Sequence, residues 1–143
     1  MSGITVGDAQ RLAADLLRGA GLGAEEAETT ALCIVLADVW GVGTHGLLRL
    51  PYYLRRLLAG GYPPDAQLAS ISDTGPLLAL DGGGGIGHWQ LWQAGQEAAS
   101  RCARYGIAVV SVANSGHCGA LGVYTLPGLD AGCLTLCSRT GPR

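Results

Sequence analysis

The chain contains no lysine: all nine basic residues among its 143 are arginine. That absence excludes a Schiff-base mechanism, a lysine general base and the lysine of a phosphate-binding P-loop. Net charge is −2 and the arginines are dispersed, so no nucleic-acid footprint is visible. The first residues lack a basic stretch followed by an apolar one, so no signal peptide is expected. The longest apolar run, Ala31 to Ala37, is far too short to cross a bilayer. Cysteine occurs five times, an odd count without secretory context, which reads as reduced cytosolic thiols. Neither C-x-x-C nor H-x-x-x-H spacing occurs, and no metal site is expected.

What is present is apolar residues and glycine. The chain is 48% hydrophobic with 24 glycines, enough for a buried core in one ordinary domain or two small ones. Thr5-x-x-Asp8 forms a capping pair ahead of Ala9, Leu12, Ala13, Leu16, Leu17 and Ala20 at helical spacing, stopped by Gly19 and Gly21. A second helix is predicted from Ala24 to Gly41, with Glu25, Glu26 and Glu28 in its first turns. Asp38 continues the apolar stripe of that helix, either as a solvated end or as a carboxylate that orients the next loop. A third helix is predicted over about 47–58; Pro51 means that it starts at Leu50 or Pro51, or kinks. Short strands follow at Ala69–Ser72 and Leu77–Asp81, then a glycine loop, a helix from His88 to Tyr105, a buried strand over Ile107–Ala113 and another strand over Cys133–Ser138. The change from helices to α/β places a boundary near residue 65.

Three patterns carry chemistry. His45, Arg49 and Tyr53 recur every four residues, about one helical turn, and so are candidates for one shared face. A guanidinium for a carboxylate and an imidazole for a proton suit a 2-oxo or 2-hydroxy acid. Gly82 to Gly87 satisfies G-x-G-x-x-G, but the acidic residue a dinucleotide fold places some 20 positions later is missing, and a tight, closely packed turn is the favoured reading. Asn114 to Ala120 follows a β run, and its His117 is flanked by small residues that let a ligand approach. Cys118 beside His117 is discounted as a nucleophile, because sequence neighbours seldom face each other.

The run Ala37-Asp38-x-x-Gly41-Val42-x-Thr44-His45-Gly46-x-x-Arg49-Leu50-x-x-Tyr53 resembles the Ser-His-Gly-x-x-Arg signature of the malate/L-lactate dehydrogenase family. Agreement continues through Asp81-Gly82, Gly85-x-Gly87, Gly106 to Val110, and Asn114-Ser115-x-His117-x-Gly119-Ala120-x-Gly122-x-Tyr124. The resemblance implies NAD- or NADP-dependent hydride transfer on a small 2-hydroxy or 2-oxo acid, in a cytoplasmic homodimer without membrane or nucleic-acid partners. The implied fold is α+β and not Rossmann: an N-terminal helical domain (1–65), then an incomplete NAD(P)-binding domain (66–143) on a mostly antiparallel sheet. By the same resemblance His45 is the acid/base, with His117 competing for that role. Arg49 holds the substrate carboxylate or a cofactor phosphate, Tyr53 bonds substrate, and Thr44, Gly119, Ala120 and Gly122 border the cofactor. Thr44 replaces the usual serine, and Pro127 and Gly128 interrupt an Ala-rich helix. The chain reaches less than half a typical member's length, which implies a fragment, inactive alone. A non-catalytic module pairing with an intact paralogue, and a true Rossmann reductase using Gly82 to Gly87, are the alternatives.

Overall fold

A computed structural model describes residues 3–140. Helix α1 spans Val6–Gly19, and the hydroxyl of Thr5 accepts from the Asp8 N–H at 3.1 Å, the predicted cap. Helix α2 spans Ala24–Val39, with the Gly23 N–H bonded to the Glu26 carboxylate at 3.3 Å. The next stretch departs from one continuous helix. Gly43–His45 and Leu47–Arg49 form separate 3₁₀ turns, and α3 runs only over Leu50–Leu58 with Pro51 in its first turn. Proline has no N–H to lose there, so the helix starts where the ring is tolerated.

Strands β1 (Ala69–Asp73) and β2 (Leu77–Asp81) form an antiparallel hairpin with a bulge between Ser70 and Ser72. Helix α4 (Gly87–Tyr105) then crosses over to β3 (Val109–Ala113), which pairs with β2 in parallel. The described sheet therefore holds one antiparallel and one parallel pairing, not a mostly antiparallel set. A helical crossover returns the chain in the same direction, and that fixes the second pairing as parallel. The β3 run is shorter and less buried than predicted: Ile107 and Val109 are exposed, because among the described residues one sheet face meets α4 and the other meets solvent. Among the described residues Cys133–Ser138 pairs with no strand and is not one itself. Its alternation survives, with Leu134 and Leu136 pointing into solvent. The Pro127/Gly128 interruption resolves into a 3₁₀ turn at Leu121–Thr125 followed by α5 (Leu126–Asp130).

Two cores hold these elements. The larger joins Ala13, Leu17, Ala31, Ile34, Leu50, Tyr53, Leu57, Tyr62 and Ile86. The smaller joins Cys33, Cys118, Val123 and Tyr124. Fully burying a side chain such as Leu17 or Ile34 contributes about 1.5–3 kcal/mol. Both cores draw residues from either side of residue 65, so α3 and the start of α4 are packed together rather than merely adjacent.

Candidate active site

The glycine turn explains why α4 starts where it does. The N–H groups of Gly82, Gly84 and Gly85 bond to the carbonyls of Ala113, Asn114 and Gly82, and that of Gly83 to the Asp81 carboxylate at 2.7 Å. The amides of all four turn glycines are thus engaged within the chain, which counts against reading this loop as a Rossmann phosphate cradle. The glycines serve close packing. A Cβ on Gly85 would lie 2.8 Å from the Ala66 Cβ, and one on Gly87 would lie 2.8 Å from the His117 carbonyl oxygen. Buried Gln90 latches the two loops, its Nε2 donating to the Gly82 carbonyl at 2.6 Å and its Oε1 accepting from Ser115 at 2.7 Å.

This packing delivers His117 to α3. Its Nδ1 lies 2.9 Å from the Tyr53 hydroxyl and 3.1 Å from the Gly119 amide nitrogen. An amide N–H can only donate, so Nδ1 is an acceptor, the Tyr53 O–H donates to it as well, and the ring proton resides on Nε2. The Tyr62 hydroxyl accepts from the His117 backbone N–H at 3.4 Å. Burial lowers the His117 pKa below the usual imidazole value, and the charges of Arg49, Arg139 and His45 lower it further. Burial likewise raises the Tyr53 phenol, against the pull of Arg49.

His45 stacks on His117 with ring centroids 5.9 Å apart and planes 18° from parallel. Its Nδ1 lies 3.0 Å from the Thr44 hydroxyl, and among the described residues its Nε2 has no partner. Asp38 sets this turn: its carboxylate accepts from the Leu47 N–H at 2.8 Å, so the residue orients the following loop instead of ending the helix in solvent. Arg49 donates from Nε to the Thr44 carbonyl at 2.9 Å and makes no ion pair among the described residues. Among the described residues its remaining N–H groups have no partner, and a guanidinium in that state suits an anion.

The structure therefore gathers His45, Tyr53, His117 and Gly119, with Thr44 and Arg49 at the rim, though not on one helical face. Three successive turns deliver the first triplet. Ala120 packs into the smaller core, and a Cβ on Gly122 would rest 3.3 Å from the Trp40 ring. Cys118 is buried and its thiol is raised by that burial, which keeps it protonated. Among the described residues no three His, Cys, Asp or Glu side chains converge as metal ligands.

The sequence reading missed His88, which it treated only as the first residue of a helix. The ring is 1% exposed, neither nitrogen has a hydrogen-bond partner, and it lies edge-on to Tyr53 at 4.7 Å and 80°. Burial, then the charges of His117 and His45, push its pKa down to about 3, so it is neutral at physiological pH. Only its scarcity could have flagged it: the chain has three histidines, and all three meet here.

The family model described as malate/L-lactate dehydrogenase matches residues 4–142. The ureidoglycolate dehydrogenase (NAD(+)) of Escherichia coli K12 is 32% identical over 79% of this chain and 32% of its own length. The (2R)-3-sulfolactate dehydrogenase (NADP(+)) of Chromohalobacter salexigens is 30% identical over 83% of this chain and 35% of its own. The crystal structure of malate dehydrogenase from Entamoeba histolytica superposes with a TM-score of 0.89 at 28% identity, covering 92% of this chain and 37% of that one. The chain spans about a third of the length of the curated relatives it matches. With the histidine cluster in place and the match running nearly end to end, the chain belongs to the malate/L-lactate dehydrogenase family.

Proposed function

We propose that this chain contributes the acid/base and carboxylate-binding wall of an NAD(P)-dependent dehydrogenase acting on a small 2-hydroxy or 2-oxo acid. The observation that carries the reading is the pair of stacked imidazoles with different hydrogen-bond states beside an unpaired arginine. Bound NAD(P) would accept or supply the hydride at the substrate C2. The cluster fits the reacting end of such a cofactor, while the amides of Gly82 to Gly85 are engaged within the chain.

The roles follow from the protons. His45, with Nε2 open and Nδ1 backed by Thr44, takes the proton from the C2 hydroxyl during oxidation and returns it during reduction. His117, neutral and with its proton on Nε2, donates a hydrogen bond without accepting a proton, because Nδ1 is already engaged twice. This assigns the acid/base role to His45. Arg49 grips the substrate carboxylate with its two terminal nitrogens. Tyr53 acts through His117, since its hydroxyl is committed there. Thr44, Gly119, Ala120 and Gly122 border the cofactor, and the working protein is a cytoplasmic homodimer.

The test follows NADH and NADPH absorbance with oxaloacetate and pyruvate, and NAD and NADP reduction with ureidoglycolate, using this chain and a full-length counterpart. His45→Ala is expected to lower turnover by about 10²–10⁴-fold. Unimpaired turnover by that variant would overturn the assignment. A second reading, a non-catalytic module that docks on a related chain, is favoured by the exposure of Leu134, Leu136, Ile71 and Leu77. Size-exclusion chromatography tests this second reading, since a soluble, compact monomer argues against docking.

A further inference from the structure

We propose that His88 is a positioning residue whose flat ring supports Tyr53 and Gly119, the two groups that fix the proton of His117. The proposal rests on the reading of His117 as a neutral hydrogen-bond donor. Tyr53 reaches His117 Nδ1 from one side at 2.9 Å and the Gly119 N–H from the other at 3.1 Å. His88 touches both partners. Its ring lies edge-on to the Tyr53 ring at 4.7 Å, and its Nε2 would stand 2.7 Å from a Cβ on Gly119, so the imidazole lies directly against that backbone.

Placement of the ring is built in. His88 is the second residue of α4, and Gly87 before it is jammed against the Gly116 and His117 carbonyls, so the helix cannot slide. Gly119 adopts φ +65°, a left-handed conformation in which its N–H turns back to the His117 ring, and a side chain there would strike His88. The ring therefore fills the space beneath both hydrogen bonds without reaching His117 Nδ1 itself. Neither ring nitrogen has a hydrogen-bond partner, so His88 acts on its neighbours through its shape. That shape is a thin, rigid plate between a phenol ring and a backbone turn.

The consequence is chemical. Without the plate, Tyr53 and the Gly119 turn relax, Nδ1 loses its two fixed donors, and the His117 proton distributes over both ring nitrogens. The ring then also becomes a base, competing with His45.

The experiment uses the full chain with ¹⁵N-labelled histidine and long-range ¹H–¹⁵N correlation, in which the three imidazoles are the only signals. The unsubstituted chain is expected to show His117 with Nε2 protonated and Nδ1 bare. In His88→Ala the Nδ1 resonance should move toward the protonated position and Nε2 away from it, and the His117 titration should move up toward the ordinary imidazole value. His88→Phe keeps a flat ring without nitrogens and should restore the single tautomer. A His88→Ala chain with native amide dispersion and unchanged His117 nitrogens overturns the proposal, and so does His88→Phe behaving like His88→Ala. Should His88→Ala fail to fold, His88→Asn, which also removes the plate, is judged on the same resonances. Protonated Nδ1 in the unsubstituted chain would refute the donor reading of His117 itself, a result distinct from the other two.

Discussion

The turn that carries His45 depends on a carboxylate occupying the space of a missing methyl, and this can be tested as a thermodynamic cycle. Asp38 accepts from the Leu47 N–H at 2.8 Å. A Cβ on Gly46 would meet three atoms of that carboxylate, the farthest at 2.5 Å. Gly46 has φ −91°, so the glycine is not required by a left-handed backbone; the constraint is the collision. Asp38→Ala removes a charge-assisted hydrogen bond and should cost about 1.5–3 kcal/mol. At roughly 3–4 °C per kcal/mol for a chain of this size, the melting temperature falls by about 5–12 °C. Gly46→Ala forces the carboxylate off its donor and overpacks the turn, for about 1–3 kcal/mol. In the double variant the methyl enters vacated space, so the second substitution should cost little and the coupling should reach on the order of 1 kcal/mol or more. Urea melts of the four proteins measure it. Additivity within about 0.5 kcal/mol would refute the steric reasoning, because independent sites behave that way.

Two further predictions concern buried polar groups. The neutral His88 has its pKa lowered from 6.5 to about 3, so its contribution to stability is fully present above pH 6.5 and is lost as pH falls toward 3, at a slope approaching about 1.4 kcal/mol per pH unit. His88→Phe should remove that component and shift acid unfolding to lower pH; an unchanged acid transition would contradict it. Gln90→Leu strands the Ser115 hydroxyl and leaves the Gly82 carbonyl with the Gly85 N–H alone, and should destabilise by about 1–3 kcal/mol, with faster amide exchange confined to residues 82–85 and 114–119. Uniform exchange across the chain would show that the latch is not local.

Local signals were legible in the sequence wherever a single residue type decides the outcome. Thr5 and Asp8 marked the start of α1, the Leu77–Asp81 strand has the predicted bounds, and Pro51 marked the start of α3 within a residue. The unpaired Cys133–Ser138 segment was not legible, because alternation specifies a strand's faces and not the existence of a neighbour. The equal spacing of His45, Arg49 and Tyr53 correctly named residues that converge, yet for the wrong geometric reason. Spacing by four describes one helix, whereas Gly43 and Gly46 break the chain into turns. His88 and Tyr62 escaped notice because their roles come from contacts 31 and 55 residues away in sequence, His88 with Gly119 and Tyr62 with His117.

The Gln90 amide has a mechanical meaning as well. One side chain pins two loops to the first turns of a long helix, so the floor beneath the imidazoles moves as a block with α4 or not at all. The opposite wall, residues 43 to 49, is held separately, by the Asp38 carboxylate on the Leu47 N–H and by Leu47 against the larger core, with the Arg49–Thr44 bond bracing it internally. Under the proposed function, an arriving acid would meet its proton acceptor on this separately held wall and not on the block that moves with α4.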